Sequence, residues 1–306
     1  MARIFSRAAA VAALAAITMG LAACSSGSPA APGGESTSGS SPDTSATTAA
    51  TSEAPASSAP DATELTTTPG TLTIATGNPA YSPWVEDDKP ESKQGFEAAV
   101  AYAVAEKLGF ADADVSWVRT TFDEAIAPGP KAWDLNIQQF SITEEREKAV
   151  DFSSGYYTTA QAVLTYEGSP LAGATTLAQL KQGKLGAMVG TTSLNALNEQ
   201  IAPATPASVF NSNADTAQAL KNKQVDAIVV DLPTALYLAA VEIDGGKIIG
   251  QLADASGGDQ FGFVLPKGSK LTAPVSAAVD ALAADGTLAA LEKQWLSESI
   301  SVPVLS

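Results

Sequence analysis

The sequence predicts an α/β fold, on three observations. From residue 70 to residue 306, short apolar runs of strand length alternate with amphipathic stretches of helix length. One such stretch sets Phe96, Val100, Ala103, Val104 and Leu108 on a single helix face, with Gly109 where a C-terminal cap belongs. A helix, a turn, an Asp and a strand succeed one another twice, in residues 122 to 140 and 213 to 232, with Asp134 and Asp226 leading the two strands. That echo suggests two similarly built lobes.

Taken in chain order, the first segment reads as an address. Arg3 and Arg7 precede an apolar run over residues 8 to 19, too short to span a bilayer as a helix, which is the layout of a secretory signal. It closes on Leu21-Ala22-Ala23-Cys24, which resembles the lipobox of bacterial lipoproteins. The resemblance implies removal of residues 1 to 23 and acylation of the Cys24 sulfur. Residues 25 to 69 are Ser, Thr, Ala, Pro or Gly at 39 of 45 positions, too little apolar surface to offset the entropy of ordering. With Cys24 they read as a disordered tether over residues 24 to 69, reaching roughly 35 to 40 Å as a flexible coil.

The folded part follows, with strands expected at residues 72 to 76, 115 to 118, 135 to 139, 162 to 166, 185 to 189, 227 to 230 and 260 to 265. Two helices end it: Val275, Val279 and Leu282 line one, Gly286 stops it, and Leu288, Leu291 and Trp295 line the next.

Composition removes several functions. The 306 residues hold 17 Lys plus Arg, 33 Asp plus Glu, no His and one Cys. Without imidazole there is no Ser-His-Asp triad, no Cys-His dyad and no His-ligated metal. A net charge of -16 opposes nucleic-acid binding, whose affinity comes from Lys and Arg on phosphates. The GxGxxG, GKS or GKT, GxSxG and SxxK signatures are absent, and Glu86-Asp87-Asp88 lacks calcium-loop spacing and reads as a solvated turn. No cofactor and no metal are expected.

In open α/β sheets ligands lie beyond the carboxyl ends of the strands. Two segments leave a strand there and enter a helix: residues 138 to 146, where Ser141 and Glu144 match a capping box, and Gly190-Thr191-Thr192-Ser193. Arg146 is one of only two arginines after residue 69, the other being Arg119, which reads as structural. Its fork suits a carboxylate, or it pairs with the neighbouring glutamates on a solvated helix. Asp231 ends an apolar strand, where it either receives an ammonium group or caps the next helix. Tyr81 and Trp84 follow the first strand and Phe122 opens the second helix; each either stacks on a ligand or belongs to the core.

These motifs together resemble the bacterial extracellular solute-binding proteins of family 3, receptors of polar amino-acid ABC importers. The resemblance rests on residues 78 to 84 after the first strand, Gly95-Phe96-Glu97 to Leu108-Gly109, and Ser141-Ile142-Thr143 to Arg146 with Val150-Asp151-Phe152-Ser153. Val225-Asp226-Ala227 to Asp231 and Asp285-Gly286-Thr287-Leu288 to Trp295-Leu296 complete it. It implies the two-lobed periplasmic-binding-protein fold of type II, with two crossover strands as the hinge. Lobe one would be residues 70 to 157 plus 259 to 306, and lobe two residues 158 to 258. Arg146, helped by Ser141 and Thr192, would clamp the ligand α-carboxylate, and Asp231 would take the α-ammonium. Tyr81 and Phe122 would flank the side chain, and Gln139 would offer its backbone carbonyl.

Two departures stand out. Asn78 replaces the Asp of many family members, and Gln138 and Gln139 replace small residues ahead of Ser141. The implied protein is a monomeric, lipid-anchored receptor on the extracellular face of the cytoplasmic membrane. It would deliver a small or polar amino acid to the transmembrane subunits of an ABC permease. The alternatives are an enzyme on the same fold, a dehydratase or deaminase using Glu97 or Asp231 as acid or base, and a surface sensor or adhesin.

Overall fold

The computed structural model describes residues 61 to 253, 257 to 296 and 302 to 306. The signal segment, Cys24 and the tether as far as residue 60 lie outside the described residues. Those described form two five-stranded mixed sheets, each flanked by helices.

The first sheet has the order β2-β1-β3-β10-β4, built from β1 (Leu72–Gly77), β2 (Val115–Thr120), β3 (Leu135–Asn136), β4 (Val150–Thr159) and β10 (Asp259–Pro266). β1 lies parallel to both β2 and β3, and β10 runs antiparallel to β3 and β4. A strand inside the sheet is covered on both faces, which accounts for the burial of the neighbouring Ile74 and Ala75, whose side chains point to opposite faces. Against this sheet pack α1 (Phe96–Lys107), α8 (Thr272–Ala284) and α9 (Thr287–Trp295), with Phe96, Val100, Val104, Val275, Val279 and Leu288 in one core. α1 is buried on more than the single face its periodicity implies, because Ala98 packs against Ala80 and Val85 on its other side.

The second sheet has the order β7-β6-β8-β5-β9, from β5 (Gln161–Tyr166), β6 (Leu185–Met188), β7 (Ser208–Phe210), β8 (Ala227–Asp231) and β9 (Gly246–Gln251). α5 (Thr192–Ala196), α6 (Asn213–Lys221) and α7 (Leu232–Tyr237) flank it. The chain passes from the first sheet to the second between β4 and β5, through Ala160, and returns ahead of β10.

The repeated helix-turn-Asp-strand unit is real in three dimensions. The Asp134 backbone N–H donates to Thr73 O at 2.8 Å while the Thr73 N–H donates to Asp134 Oδ2 at 2.8 Å. Asp226 makes the same pair with Lys184, at 2.7 Å in each direction. Each Asp thus pins its own strand, β3 or β8, to the start of the parallel neighbour, β1 or β6.

Several expectations need correction. Residues 61 to 69, read from composition as tether, fold onto the first lobe: Ala62 and Leu65 pack against its core, and the Thr67 N–H donates to Asp134 Oδ1 at 2.7 Å. Thr and Ala can be ordered where a buried carboxylate supplies the missing hydrogen-bond partner. Residues 302 to 306, assigned with lobe one, belong to lobe two. The Leu305 N–H donates to Gln251 O and the Gln251 N–H to Pro303 O, both at 2.9 Å, and Leu305 joins the core of Val163, Leu180 and Ile249. Gly250 makes the room, since a Cβ there would stand 2.6 Å from Leu305 Cγ. The strand expected over 135 to 139 stops at Asn136, because the chain turns away through Gln139 at a φ of 51°. β4, β7 and β9 were not foreseen; Ser153, Ser154 and Gly155 disguise β4 as a loop, and its length is sustained by pairing with β10.

Candidate functional site

The residues that follow β1, β3, β6 and β8 line one cleft between the lobes, around a cavity of about 60 Å³. All eight residues singled out in the sequence line it: Asn78, Tyr81, Phe122, Gln139, Ser141 and Arg146 from the first lobe, Thr192 and Asp231 from the second. Lys and Arg after residue 69 are mostly exposed, yet Arg146 is only 8% exposed.

Arg146 lies on α3 (Glu144–Glu147), whose N-cap is Thr143, accepting from the Arg146 N–H at 3.2 Å. The expected capping box from Ser141 does not form: the N-cap lies two residues later at Thr143, with Arg146 at the third helical position, and Ser141 is bridged to Phe261 and lines the cleft. Nη1 of Arg146 donates to Ser141 O at 2.7 Å and Nη2 to Gly190 O in the other lobe at 2.9 Å. The guanidinium lies 5.2 Å from the ring of Phe122, which itself stacks on Phe140 at 4.5 Å. Burial lowers the Arg146 pKa, while Asp259 and Asp231 oppose that by favouring the cation. None of the neighbouring glutamates pairs with it; the solvated-helix alternative does not describe this side chain.

Asp231 makes no side-chain cap on α7 and points into the cavity instead. Its Oδ1 accepts from Gln161 Nε2 at 2.8 Å. Burial raises its pKa to about 7; the Gln161 hydrogen bond opposes the shift and the Asp259 charge adds to it. Gln161 and Asp259 escaped the sequence reading. The Gln161 carboxamide bridges Asp231 to Asp259 Oδ2, 2.8 Å away, and accepts from Ser193 Oγ at 2.5 Å. Thr192 Oγ1 donates to Asp259 Oδ2 at 2.6 Å and lies 3.2 Å from Ser141 Oγ. A polar residue opening the apolar run of β5, opposite Asp231 in register, was the signal available for Gln161.

The floor of the cleft is set by Glu97, a fully buried carboxylate on α1. It accepts from Tyr156 Oη at 2.5 Å, from the Gln139 N–H at 2.7 Å and from the Gln139 carboxamide nitrogen. The two bonds from Gln139 to Glu97 hold Gln139 in its left-handed conformation. Burial nonetheless raises the Glu97 pKa to about 7. Asp88 is not simply solvated as expected: its Oδ1 accepts from the Ala80 N–H at 2.9 Å and pairs with Arg119 at 2.6 Å. Arg119 also donates to Gly77 O at 2.9 Å, so this pair fixes the loop that carries Asn78 and Tyr81. Trp84 is core, packed edge-on against Phe96, Tyr157 and Phe261, but its Nε1 reaches across to Thr234 Oγ1 in lobe two at 3.0 Å. Among the described residues no group of three His, Cys, Asp or Glu is placed to hold a metal.

The family model of the bacterial extracellular solute-binding proteins, family 3, matches residues 72–298. The chain belongs to that family. As a family 3 solute-binding protein it has the two-lobed type II fold, with the strand passages around Ala160 and β10 as its hinge. It is 31% identical to a probable histidine-binding protein of Campylobacter jejuni over 204 residues, 64% of this chain and 73% of that one. It is 30% identical to the L-arginine-binding protein of Pseudomonas aeruginosa over 226 residues, 71% of this chain and 85% of that one. Among solved structures, an ancestral amino-acid-binding protein described as a precursor of cyclohexadienyl dehydratase matches with a TM-score of 0.62 and 28% identity. That match covers 74% of this chain and 96% of the ancestral protein.

Proposed function

We propose that this family 3 protein is the substrate-binding component of an ABC importer, capturing a free amino acid by lobe closure and delivering it to a membrane permease. One observation carries the reading: a buried guanidinium from lobe one and a buried carboxylate from lobe two face one closed cavity. Arg146 and Asp231 thereby present a cation and an anion to a zwitterion, and a ligand that touches both favours the closed form. Ser141 and Thr192 assist at the carboxylate, Gln139 and Asn78 at the ammonium, and Tyr81 and Phe122 flank the side chain. The relatives that bind arginine and histidine support an amino-acid ligand. The cavity between the lobes is small, about 60 Å³, which supports a small or polar amino acid.

The lobes are assigned as residues 61 to 157 plus 259 to 296, and 158 to 253 plus 302 to 306. Residues 1 to 23 act as a signal and Cys24 as the lipid attachment point, placing a monomeric receptor on the extracellular face of the cytoplasmic membrane. Titration calorimetry of the twenty amino acids tests the binding function, and loss of the protein from the membrane fraction in Cys24→Ser tests the anchor.

A catalytic reading has one observation in its favour, the Asp231 carboxyl held near neutrality beside the cavity, on a fold shared with a dehydratase precursor. Glu97, the other acid with a raised pKa, does not line the cavity, being sealed beneath Gln139 and Tyr156. Binding without turnover is the reading adopted, and a new product on incubation with any bound amino acid would overturn it.

A further inference from the structure

Gln161 opens β5 directly after the passage through Ala160, ahead of the fully buried Ala162, Val163 and Leu164. It is buried as well, and a buried carboxamide is costly unless its donors and acceptor are paired. Its Nε2 carries two N–H groups, and the two nearest acceptors are carboxylates from distant parts of the chain. Asp231 Oδ1, at the end of β8, and Asp259 Oδ2, at the start of β10, each lie 2.8 Å away. Oε1 accepts from Ser193 Oγ at 2.5 Å. The amide cannot be turned over, because a carboxylate only accepts and Oε1 would then face two of them. Gln161 thus has one orientation, and in it an acid of lobe two is tied to the hinge strand that returns to lobe one.

Asp231 makes no side-chain cap on α7, which leaves the Gln161 bond to fix where its carboxylate points. We infer that Gln161 is the positioning residue of the ammonium subsite, aiming Asp231 at the cleft and tying it to Asp259 at the hinge. This rests on the binding reading above and names the residue on which its ammonium contact depends. A hydrogen bond donated to a carboxylate favours the charged form, so loss of this one raises the Asp231 pKa beyond the rise that burial causes. Arg146 on α3, Asp259 on β10 and Glu97 on α1 are the other charged groups acting on Asp231, and Tyr156 and Tyr157 on β4 lie in its field with hydroxyls that burial keeps neutral. All of them remain when Gln161 alone is changed.

The test is a pH titration of the ligand-free, detergent-solubilised full chain with Cγ-labelled aspartate, followed by carboxyl NMR, the Asp231 signal being identified by its loss in Asp231→Asn. Gln161→Met keeps length and volume without the donors, and is expected to raise the Asp231 midpoint by about one unit or more. Asp259→Asn removes a repelling charge and is expected to lower it. At about pH 7, calorimetry with each of the twenty amino acids is expected to show the one that the wild type binds most tightly bound roughly fivefold or more weakly by Gln161→Met. A merely structural role would lower the melting temperature and leave the Asp231 midpoint in place. A midpoint that is unmoved or falls in Gln161→Met, or an affinity that is unchanged there, overturns the inference and leaves the amino-acid reading standing. If melting curves show Gln161→Met unfolded, the Asp259→Asn midpoint decides, and one that does not fall overturns the inference. Failure of the wild type to bind any of the twenty amino acids overturns both.

Discussion

In the proposed binding mode, Asp231 couples ligand capture to a proton. In the ligand-free protein its pKa is raised from 3.8 to about 7, chiefly by burial. An ammonium seated against it restores the carboxylate, and an opposite charge at contact distance lowers a carboxyl pKa by about one to three units. With a drop of about two units, the free protein carries a proton that the complex lacks across the interval between pH 5 and pH 7 or so. Affinity then rises with pH, by roughly 20-fold from about pH 5.5 to about pH 7.5, and flattens above. The stability of the ligand-free protein runs the other way. A raised pKa contributes stability that is fully present below the unfolded value of 3.8 and is lost as pH rises through about 7, a contribution of roughly 4 kcal/mol for Asp231. Glu97, raised from 4.5 to about 7, acts in the same sense but lies below the floor, out of the ligand's reach. Calorimetry in two buffers of different ionisation heat counts the protons released on binding, and Asp231→Asn removes the slope. An affinity that is flat or falling from about pH 5.5 to about pH 7.5, or a slope that persists in Asp231→Asn, would show that no ammonium is seated at Asp231.

Three further changes follow from the geometry. Arg146→Lys keeps the charge but cannot hold Ser141 O, Gly190 O and a carboxylate together, so amino-acid affinity is expected to fall at least 30-fold, measured by calorimetry, in line with the 2 kcal/mol or so that truncating a buried charge pair costs. Thr234→Val leaves Trp84 Nε1 unpaired only when the lobes are closed; a penalty of about 1 to 3 kcal/mol there weakens binding by roughly 5- to 150-fold, with small-angle scattering reporting a more open ligand-free protein. Deletion of residues 302 to 306 uncovers the Val163, Leu180 and Ile249 core that Leu305 closes, and is expected to cost about 2 to 3 kcal/mol and lower the melting temperature by about 5 to 10 °C.

The sequence made the positions of cleft residues legible because strand ends and helix starts are marked locally. An apolar run that stops at Asp231, or a Ser-Ile-Thr before an Arg, says where the backbone leaves the sheet. What it could not show was the company each residue keeps at long range. Asp259 and Gln161 are 98 residues apart in sequence and meet only because β4, β5 and β10 converge at the hinge. Composition misread residues 61 to 69 for the same reason, since the carboxylate that orders them, Asp134, lies 67 positions further on from Thr67. The anchoring of Gln139 was equally invisible: it depends on a left-handed turn and a carboxylate on α1, neither of which is written in the neighbouring residues.

The two pinned aspartates explain why the site is divided as it is between the lobes. Because Asp134 and Asp226 lock β3 and β8 to their neighbours by the same pair of hydrogen bonds, counting forward from each reaches structurally equivalent places. Five residues on, the positions are Gln139 and Asp231, and both line the cavity. Counting five from the partner residues, Thr73 and Lys184, reaches Asn78 and Val189, from which the chain enters the loops holding Tyr81 and Thr192. One scaffold used twice therefore delivers four strand ends to the same gap. Chemistry differs where the scaffold repeats: lobe two supplies an ionisable acid at the place where lobe one supplies an amide tied down by Glu97. Phe122 and Arg146 come from outside these four ends, from the helices α2 (Phe122–Ile126) and α3 of lobe one, and Asn211, Ser212 and Asn213 line the cavity from the loop after β7 and the start of α6. In the proposed binding mode the cation for the carboxylate sits in lobe one and the acid for the ammonium in lobe two, so neither lobe alone is complementary to a zwitterion and full binding requires both to close on it.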